Sequence, residues 1–364
     1  MNTALLYRLL DADPADGPAE LLHRARSCRH LPHLVLSALV RDGVRMGEPA
    51  RDELRRARDR AAHYARLAAG LARSTGVRPL RGLPLAGYYP AGLLRPLDGL
   101  ELVAPDEAAL WQAVVRVVTD HPVEHIDVSL LGERPHHTAV TVHWPAEDPL
   151  ADPWYRVHLS TAALPGDGAT VPVRPYLVAD EPVECLIALA ESRLHRPALP
   201  PGPVTLLDVA GLTGRPFEPA ETAAVVAAYR LAPEAAALLD RAADHLPLGP
   251  LAAVRAALAR ELAPEHRRRA EASRTPPRPA RHGVLLRRTV IRHTWDRARF
   301  LTPAAGTPLL LTPVADFLLT PGPACPAENA CPAESACPDD SAGPAAPGLR
   351  AAALRALHQW DALC

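Results

Sequence analysis

The segment RPLDGLE, residues 95–101, carries two acidic side chains close together. A phosphate-handling enzyme is expected to present two carboxylates on one side of a strand, where side chains alternate with a period of two. Asp98 and Glu101 are three residues apart, so a regular strand would point them to opposite faces. A bulge at Gly99 would bring the two carboxylates together.

Residue types that bind phosphate stand shortly before this segment. Arg81 can bind phosphate oxygens through two nitrogen atoms, and Gly82 lets the backbone approach an anion. An Arg-Gly pair before a proline-containing turn is, taken alone, usually only a turn. Arg95 follows after two tyrosines, and its guanidinium could contact either phosphate or backbone carbonyls.

The elements that would position these residues are short strands. From Val77 onward the chain contains apolar or alternating runs bounded by Gly, Pro and Asp, namely VRPL, GLELVAP, HIDVSLL and HTAVTVHW. One helix, at about residues 106–119, interrupts them. Residues 77–165 are therefore predicted to form a small α/β unit with a partly open sheet.

Helical periodicity dominates the chain on both sides of this unit. Residues 1–76 are predicted to form an N-terminal helical segment that ends at Gly76, and residues 166–262 a helical domain. Beyond it we expect a basic, proline-rich linker at 263–282, a C-terminal segment at 283–321 and a terminal helix at 349–364. A Cys/Pro/Ala repeat at 322–348 is predicted to be disordered.

The order of these features resembles an uncharacterised family of bacterial nucleotidyltransferases in the polymerase-beta superfamily, often encoded beside peptide natural-product clusters. The strings that carry the resemblance are GVRPLRGLPLAGYYP, RPLDGLELVAPDE, TVHW and LLDVAGL, within residues 19–246. The resemblance implies an α+β fold. Its small mixed-sheet nucleotidyltransferase core would be flanked by N-terminal helices and a C-terminal helical domain.

The resemblance also implies an activity and a site. The activity is transfer of a nucleoside monophosphate from an NTP to a hydroxyl or amine of a small molecule, natural-product intermediate or peptide. Its cofactor is Mg²⁺, a hard cation that requires carboxylate oxygens. In this sequence the implied metal ligands are Asp98 and Glu101, and the implied phosphate contacts are Arg81, Gly82 and Arg95.

The catalytic carboxylates depart from the family pattern. One strand acid falls on Gly99, and the usual third acid falls on Thr141, a neutral residue. Asp127 could replace that third acid if it lies opposite Thr141 in a hairpin. The alternative is a catalytically decayed protein of the same fold that acts as a nucleotide-binding or scaffolding module.

Composition restricts the partners. The 364 residues include 40 basic and 41 acidic side chains, and the formal charge of −1 provides no strong signal for nucleic acid. No stretch approaches the roughly 18 uninterrupted apolar residues that a spanning helix needs, so no membrane association is expected. We predict a cytoplasmic protein.

Two further patterns have the spacing of metal ligands, but the residues around them favour a loop and a disordered insert. The string HPVEH, residues 121–125, matches a zinc peptidase motif, but Pro122 and the following strand-like run argue against the helix which that chemistry needs. Cys325, Cys331 and Cys337 recur at six-residue spacing, which could suit a soft metal. A proline after each cysteine favours a disordered insert instead.

Overall fold

The architecture is taken from a computed structural model of the chain. It describes residues 1–28, 30–132, 136–177, 179–194, 199–272, 280–288, 291–302, 308–322 and 347–361. Residues 323–346, which contain nearly all of the predicted repeat, lie outside the described residues.

The segment that the periodicity predicts to be helical contains four helices among its described residues, where the sequence favours two or three. They are α1 (Thr3–Leu9), α2 (Gly17–Ala25), α3 (Leu31–Arg41) and α4 (Glu48–Thr75). Helix α4 ends at Gly76, which adopts a left-handed conformation with φ 75° and donates its N–H to Ala72. Glycine favours this conformation because it has no Cβ atom. Helix α4 thus ends at the glycine at which the sequence analysis places the end of the helical segment.

A unit of strands and helices follows. Its elements are β1 (Arg78–Pro79), α5 (Gly82–Ala86), β2 (Leu100–Val103), α6 (Glu107–Asp120), β3 (His125–Leu131), β4 (His137–Trp144) and β5 (Tyr155–Ser160). Strands β1 to β4 and helix α6 occupy the runs in which the sequence predicts them. Helix α6 begins where Asp106 accepts a hydrogen bond from the N–H of Ala109.

Five further helices form a second layer. They are α7 (Glu181–Leu194), α8 (Pro203–Leu212), α9 (Pro219–Ala228), α10 (Ala232–Ala243) and α11 (Leu251–Ala272). They share one apolar core with residues of α1, α2 and α3. Helix α11 continues to Ala272, although the sequence predicts a linker from residue 263. Its charged residues are held by ion pairs, because Glu265 binds Arg268 and Arg269.

The C-terminal part of the chain extends the sheet. Its elements are β6 (Ala280–Arg288), β7 (Arg299–Leu301), β8 (Leu309–Leu311), β9 (Ala315–Gly322) and α12 (Pro347–Asp361). The predicted linker therefore also includes the start of β6, and the segment at 283–321 belongs to the sheet. The reason is apolar burial, since Leu310, Phe317 and Leu319 join the same core as β3, β4 and β5.

The nine strands of the described residues form one mixed sheet in the order β1-β2-β5-β4-β3-β6-β9-β8-β7. Strands β2 and β5 are parallel, and the other neighbouring pairs are antiparallel. Together with the helical layers, this gives a mixed α/β structure consistent with the predicted α+β class. Within the described residues, no helix is long and apolar enough to cross a membrane.

The two faces of the sheet differ in chemistry. Alternate residues of β2 to β5 are apolar and pack with α4 and α6. Most of the intervening side chains are polar and point away from these helices. We call this second set the polar sheet face: Glu101, Asp127, Thr141, His143, Arg156 and His158.

Candidate functional site

The two acids of the RPLDGLE segment differ in position from the prediction. Strand β2 begins at Leu100, so Asp98 and Gly99 precede the strand, and the expected bulge within it is replaced by an entry loop. Glu101 lies half-buried on the polar sheet face, whereas Asp98 is exposed. A Cβ atom on Gly99 would lie 2.8 Å from Nε of Arg156. A glycine is thus needed for the close approach of this arginine.

Arg156 interacts with both acids. Its Nη2 atom lies 3.8 Å from Oε1 of Glu101. At Asp98, desolvation by the surrounding protein opposes the charged form, but the positive charge of Arg156, with His30 and Arg95, outweighs it. The pKa of Asp98 is therefore below its ordinary value. Arg156 is thus an ionic partner of Glu101, and its charge also stabilises the ionised form of Asp98.

Arg81 connects the sheet to the helical layer. Its Nη1 atom lies 3.1 Å from Oε2 of Glu101, and its Nη2 atom donates to Glu191 of α7. The Glu191 side chain is only 1% exposed, so its charge depends on this contact. Arg81 also has a positive φ of 63°, which is unusual for a residue with a side chain. The turn before α5 therefore holds this guanidinium between two carboxylates.

Arg95 is bound by a buried carboxylate. Its Nε and Nη2 atoms donate to the two oxygens of Asp208 at 2.7 and 2.8 Å, and its Nη1 atom donates to the carbonyl of Pro96 at 3.0 Å. Tyr89 donates its hydroxyl hydrogen to the same Asp208 at 2.8 Å. Burial, with the neighbouring Asp208 charge, raises the pKa of Tyr89 well above its ordinary value. All three nitrogens of Arg95 thus have protein acceptors.

Gly82 lies against this arginine. A Cβ atom at Gly82 would lie 3.0 Å from Cδ2 of Leu97 and 3.4 Å from Nη1 of Arg95. The structure therefore brings together the Arg81-Gly82 turn and Arg95, which are thirteen or more residues apart in sequence. It does so through packing of the turn on the loop that precedes β2.

Asp127 lies opposite Thr141 in the β3–β4 hairpin, as the sequence predicts. Thr141 forms a hydrogen bond with His158 of β5, with 2.9 Å between Oγ1 and Nδ1. His158 is in turn the register partner of Glu101. The row across the sheet is consequently Glu101, His158, Thr141 and Asp127, with two strands separating the outer acids.

The histidines of this face are held neutral. Burial, with the charges of Arg156 and His125, lowers the pKa of His143 to about 4. Burial and the Arg156 and Arg81 charges lower the pKa of His158 to about 3. Asp127 lies 3.8 Å from Nε2 of His143, and desolvation raises the pKa of Asp127. Near neutral pH the positive charge of this face therefore comes from arginine.

The predicted magnesium ligands do not fit a carboxylate cage. In the part of the chain that the structure describes, no group of three or more His, Cys, Asp or Glu side chains could hold a metal ion. Glu101 contacts Arg81 and Arg156 instead of a second acid. Two guanidinium groups at this carboxylate oppose a divalent cation by charge repulsion. His121 of the HPVEH string stacks on the ring of Trp144.

Three residues of the site were not singled out in the sequence. They are Arg156, Glu191 and Asp208, whose side chains are 10%, 1% and 2% exposed. A signal for the two acids was present, since each interrupts an apolar helical run, in LIALAES and LLDVAGL. Charged residues on buried helix faces require partners, and here the partners are arginines.

No protein-family model, curated protein or solved structure matches this chain. The function is therefore inferred from the chain's own residues.

Proposed function

We propose that this protein is nucleotidyltransferase-like and binds a nucleotide at the polar sheet face without requiring Mg²⁺. The observation that carries the proposal is the contact of Glu101 with both Arg81 and Arg156. Guanidinium groups bind phosphate oxygens directly, and a triphosphate could take the place of a carboxylate on Arg81. The nucleotide itself rests on the resemblance of the surrounding strings to nucleotidyltransferases.

The proposal gives different tasks to the two predicted phosphate-binding arginines. Arg81 is 16% exposed and contacts the ligand phosphate. Arg95 supports the Gly82 turn from behind, because Asp208 and Pro96 already accept hydrogen bonds from its nitrogens. Asp98 and Glu101 then serve as ionic partners of Arg156 when the ligand is absent. The protein then acts as a nucleotide-binding or scaffolding module, in which the carboxylates at the catalytic positions no longer hold metal ions.

A second candidate is the active transferase, with an NTP as donor and a small-molecule or peptide acceptor. The position of Asp127 and Glu101 on one sheet face favours it. In that reaction an acceptor oxygen or nitrogen bonds to the α-phosphorus, and pyrophosphate leaves. This candidate predicts pyrophosphate release that depends on Mg²⁺ and falls at least about tenfold in Glu101→Ala, on the scale of a lost metal-ligand interaction.

Thermal unfolding with each of the four NTPs, in Mg²⁺ or in EDTA, tests the proposal. A ligand at about 100 times its Kd adds about 2.7 kcal/mol to the stability of the native state. We expect one or more NTPs to raise Tm equally in EDTA and in Mg²⁺. No rise with any NTP in either condition would overturn the proposal, and a rise that requires Mg²⁺ would favour the second candidate.

Two arginine variants form the matched comparison. Arg81→Gln removes the proposed phosphate contact, so the NTP-induced rise in Tm should disappear. Arg78→Gln removes an arginine that also pairs with α7, through Glu184 at 2.7 Å, but is 40% exposed and makes no contact with Glu101 that the structure records. It should retain the rise. Each rise is measured from the variant's own Tm, which separates binding from stability.

A further inference from the structure

A second cleft lies on the other side of the sheet, between α4 and α6. Its volume is about 270 Å³. Small-molecule sites usually have about 300–1,000 Å³, so this cleft suits a small ligand. Helix α4 contributes His63, Arg66 and Gly70, with two leucines, and α6 contributes Arg116 and Asp120 next to His121. The cleft is separate from the polar sheet face, since α4 and α6 cover the apolar face.

Gly70 is the first indication that the cleft binds a ligand. It stands inside the 28-residue helix α4, where glycine is about 1 kcal/mol less favourable than alanine. A Cβ atom at Gly70 would meet nothing within 4 Å, so no contact within the protein requires a glycine there. A larger side chain would instead occupy the cleft. The glycine thus keeps open a space that protein packing does not use.

The polar groups of the cleft favour an anion. Nε2 of His63 is buried and has no hydrogen-bond partner among the described residues. Arg66 is exposed, and Arg116 is partly neutralised by Asp120, with 3.4 Å between Nε and Oδ2. When both imidazoles are neutral, the cleft carries two positive charges, from Arg66 and Arg116, and one negative charge, from Asp120. Its net charge is therefore positive.

The rings beside the cleft are fixed in place. His121 stacks on Trp144 with 4.5 Å between ring centroids and 8° between planes, and Trp144 stacks on Tyr155. His63 lies edge-on to His121, 5.5 Å away. Burial, then the neighbouring His121 and arginine charges, lowers the pKa of His63. A neutral imidazole can donate one hydrogen bond and present an apolar ring to a ligand.

From these features we propose that the cleft between α4 and α6 binds a small organic anion, with one oxyanion group on a short aromatic or apolar body. The oxyanion accepts hydrogen bonds from Arg66 and Arg116, beside the neutral ring of His63. The apolar body lies over Gly70 and the leucines of α4. This site is independent of the nucleotide proposed for the polar sheet face.

Titration of the imidazole NMR signals of His63 and His121 with phenyl phosphate tests the site. We expect saturable shifts with a Kd of about 1 mM or tighter, which corresponds to about −4 kcal/mol. Benzoate shows whether a carboxylate can replace phosphate, and inorganic phosphate and phenol show what each half contributes. Either half alone should bind more weakly than phenyl phosphate or benzoate. Shifts that stay linear for both anions would overturn the proposal.

Variants at Gly70 separate binding from folding. Gly70→Leu fills the cleft and should weaken binding at least about tenfold, a change of about 1.4 kcal/mol. Gly70→Ala should keep most of the binding and raise Tm, because alanine favours the helix more than glycine does. Unchanged binding in Gly70→Leu, with Tm at or above the wild-type value, would contradict the assignment.

Arginine variants supply the second comparison. Arg66→Gln should weaken phenyl phosphate binding, because it removes a cation of the cleft. Arg55→Gln changes another exposed arginine of α4, whose ionic partners are Asp52 and Asp59, and should leave binding unchanged. Equal weakening by both variants would show a nonspecific charge effect and overturn the assignment. Arg81→Gln, on the other side of the sheet, should have no effect.

Discussion

Asp208 of α8 illustrates how single residues join the two layers. It accepts both hydrogen bonds of a bidentate Arg95 pair and a third from the Tyr89 hydroxyl, although its own side chain is only 2% exposed. A buried carboxylate is tolerated only when its oxygens are satisfied. Glu191 has the same task for Arg81. These acids hold the predicted phosphate-binding arginines in position.

We expect Asp208→Asn to lower the free energy of unfolding by about 3–5 kcal/mol, because it leaves the Arg95 charge buried without its counter-charge. Asp240→Asn is the matched control. Asp240 also binds an arginine through two hydrogen bonds, to Arg255 at 2.6 and 2.8 Å, but its side chain is 58% exposed. Its loss should cost less than about 1 kcal/mol. Urea unfolding measures both, and equal losses would contradict the assigned role of Asp208.

At the scale of elements, the strands of the first half are predicted by alternating apolar and polar residues and by the Gly, Pro and Asp residues that bound each run. Runs such as HIDVSLL and HTAVTVHW are strands β3 and β4 within the predicted bounds. Strand β5 has the same signal, since Tyr155, Val157 and Leu159 alternate with polar residues, but it was not singled out. Strand β6 has a weaker signal because its first residues belong to a basic, proline-rich stretch.

Gly283 of β6 marks where the C-terminal strands join the sheet. It pairs with Val128 of β3 and Leu319 of β9. A Cβ atom there would lie 2.4 Å from Cγ1 of Val128 and 2.9 Å from Cβ of Phe317. Such distances leave no room for even one methyl group without displacing the neighbouring strands.

Gly283→Ala is therefore expected to destabilise the protein by about 1–3 kcal/mol through overpacking. Gly214→Ala is the control, because a Cβ at Gly214 would meet nothing within 4 Å, and we expect a change within about 0.5 kcal/mol. Thermal and urea unfolding report both values. If the Gly283 variant were as stable as the control, the packing of β6 between β3 and β9 would be wrong.

At the scale of the whole molecule, the sheet links distant parts of the chain into one structure. Strands from residues 78–160 and 280–322 lie side by side, while the helices between them form a second apolar core. Desolvation by the surrounding protein keeps the histidines of the polar sheet face uncharged near neutral pH. The stability of the molecule should therefore depend on pH through these groups.

The free energy of unfolding should fall as pH drops from about 6.5 to about 4. In the folded protein the pKa of His143 is about 4, below the 6.5 of an ordinary histidine, so the unfolded chain takes up its proton first. Each pKa unit corresponds to about 1.4 kcal/mol, which gives a loss of about 2–3 kcal/mol from His143. In His143→Gln the fall over this pH range should be smaller by that amount in urea titrations. Parallel pH profiles for the two proteins would refute the assignment.

The sequence by itself determined the local structure. Alternation, helix periodicity and glycine placement predict β1 to β4, α6 and the end of α4 at Gly76, because these depend on neighbouring residues. The prediction that Asp127 lies opposite Thr141 also followed from a local hairpin. The sequence also suggested that Arg81 and Glu101 share a site, and they form an ion pair.

Only the tertiary structure decided the charge partners. Arg81 meets Glu191 across 110 positions of sequence, and Arg95 meets Asp208 across 113. Such pairs depend on how helices α7 and α8 lie against the sheet, which no local pattern specifies. For the same reason Glu101, predicted as a metal ligand, instead contacts Arg81 and Arg156, and the charge of Arg156 lowers the pKa of Asp98. Long-range packing thereby places arginines where the resemblance to nucleotidyltransferases implied a metal.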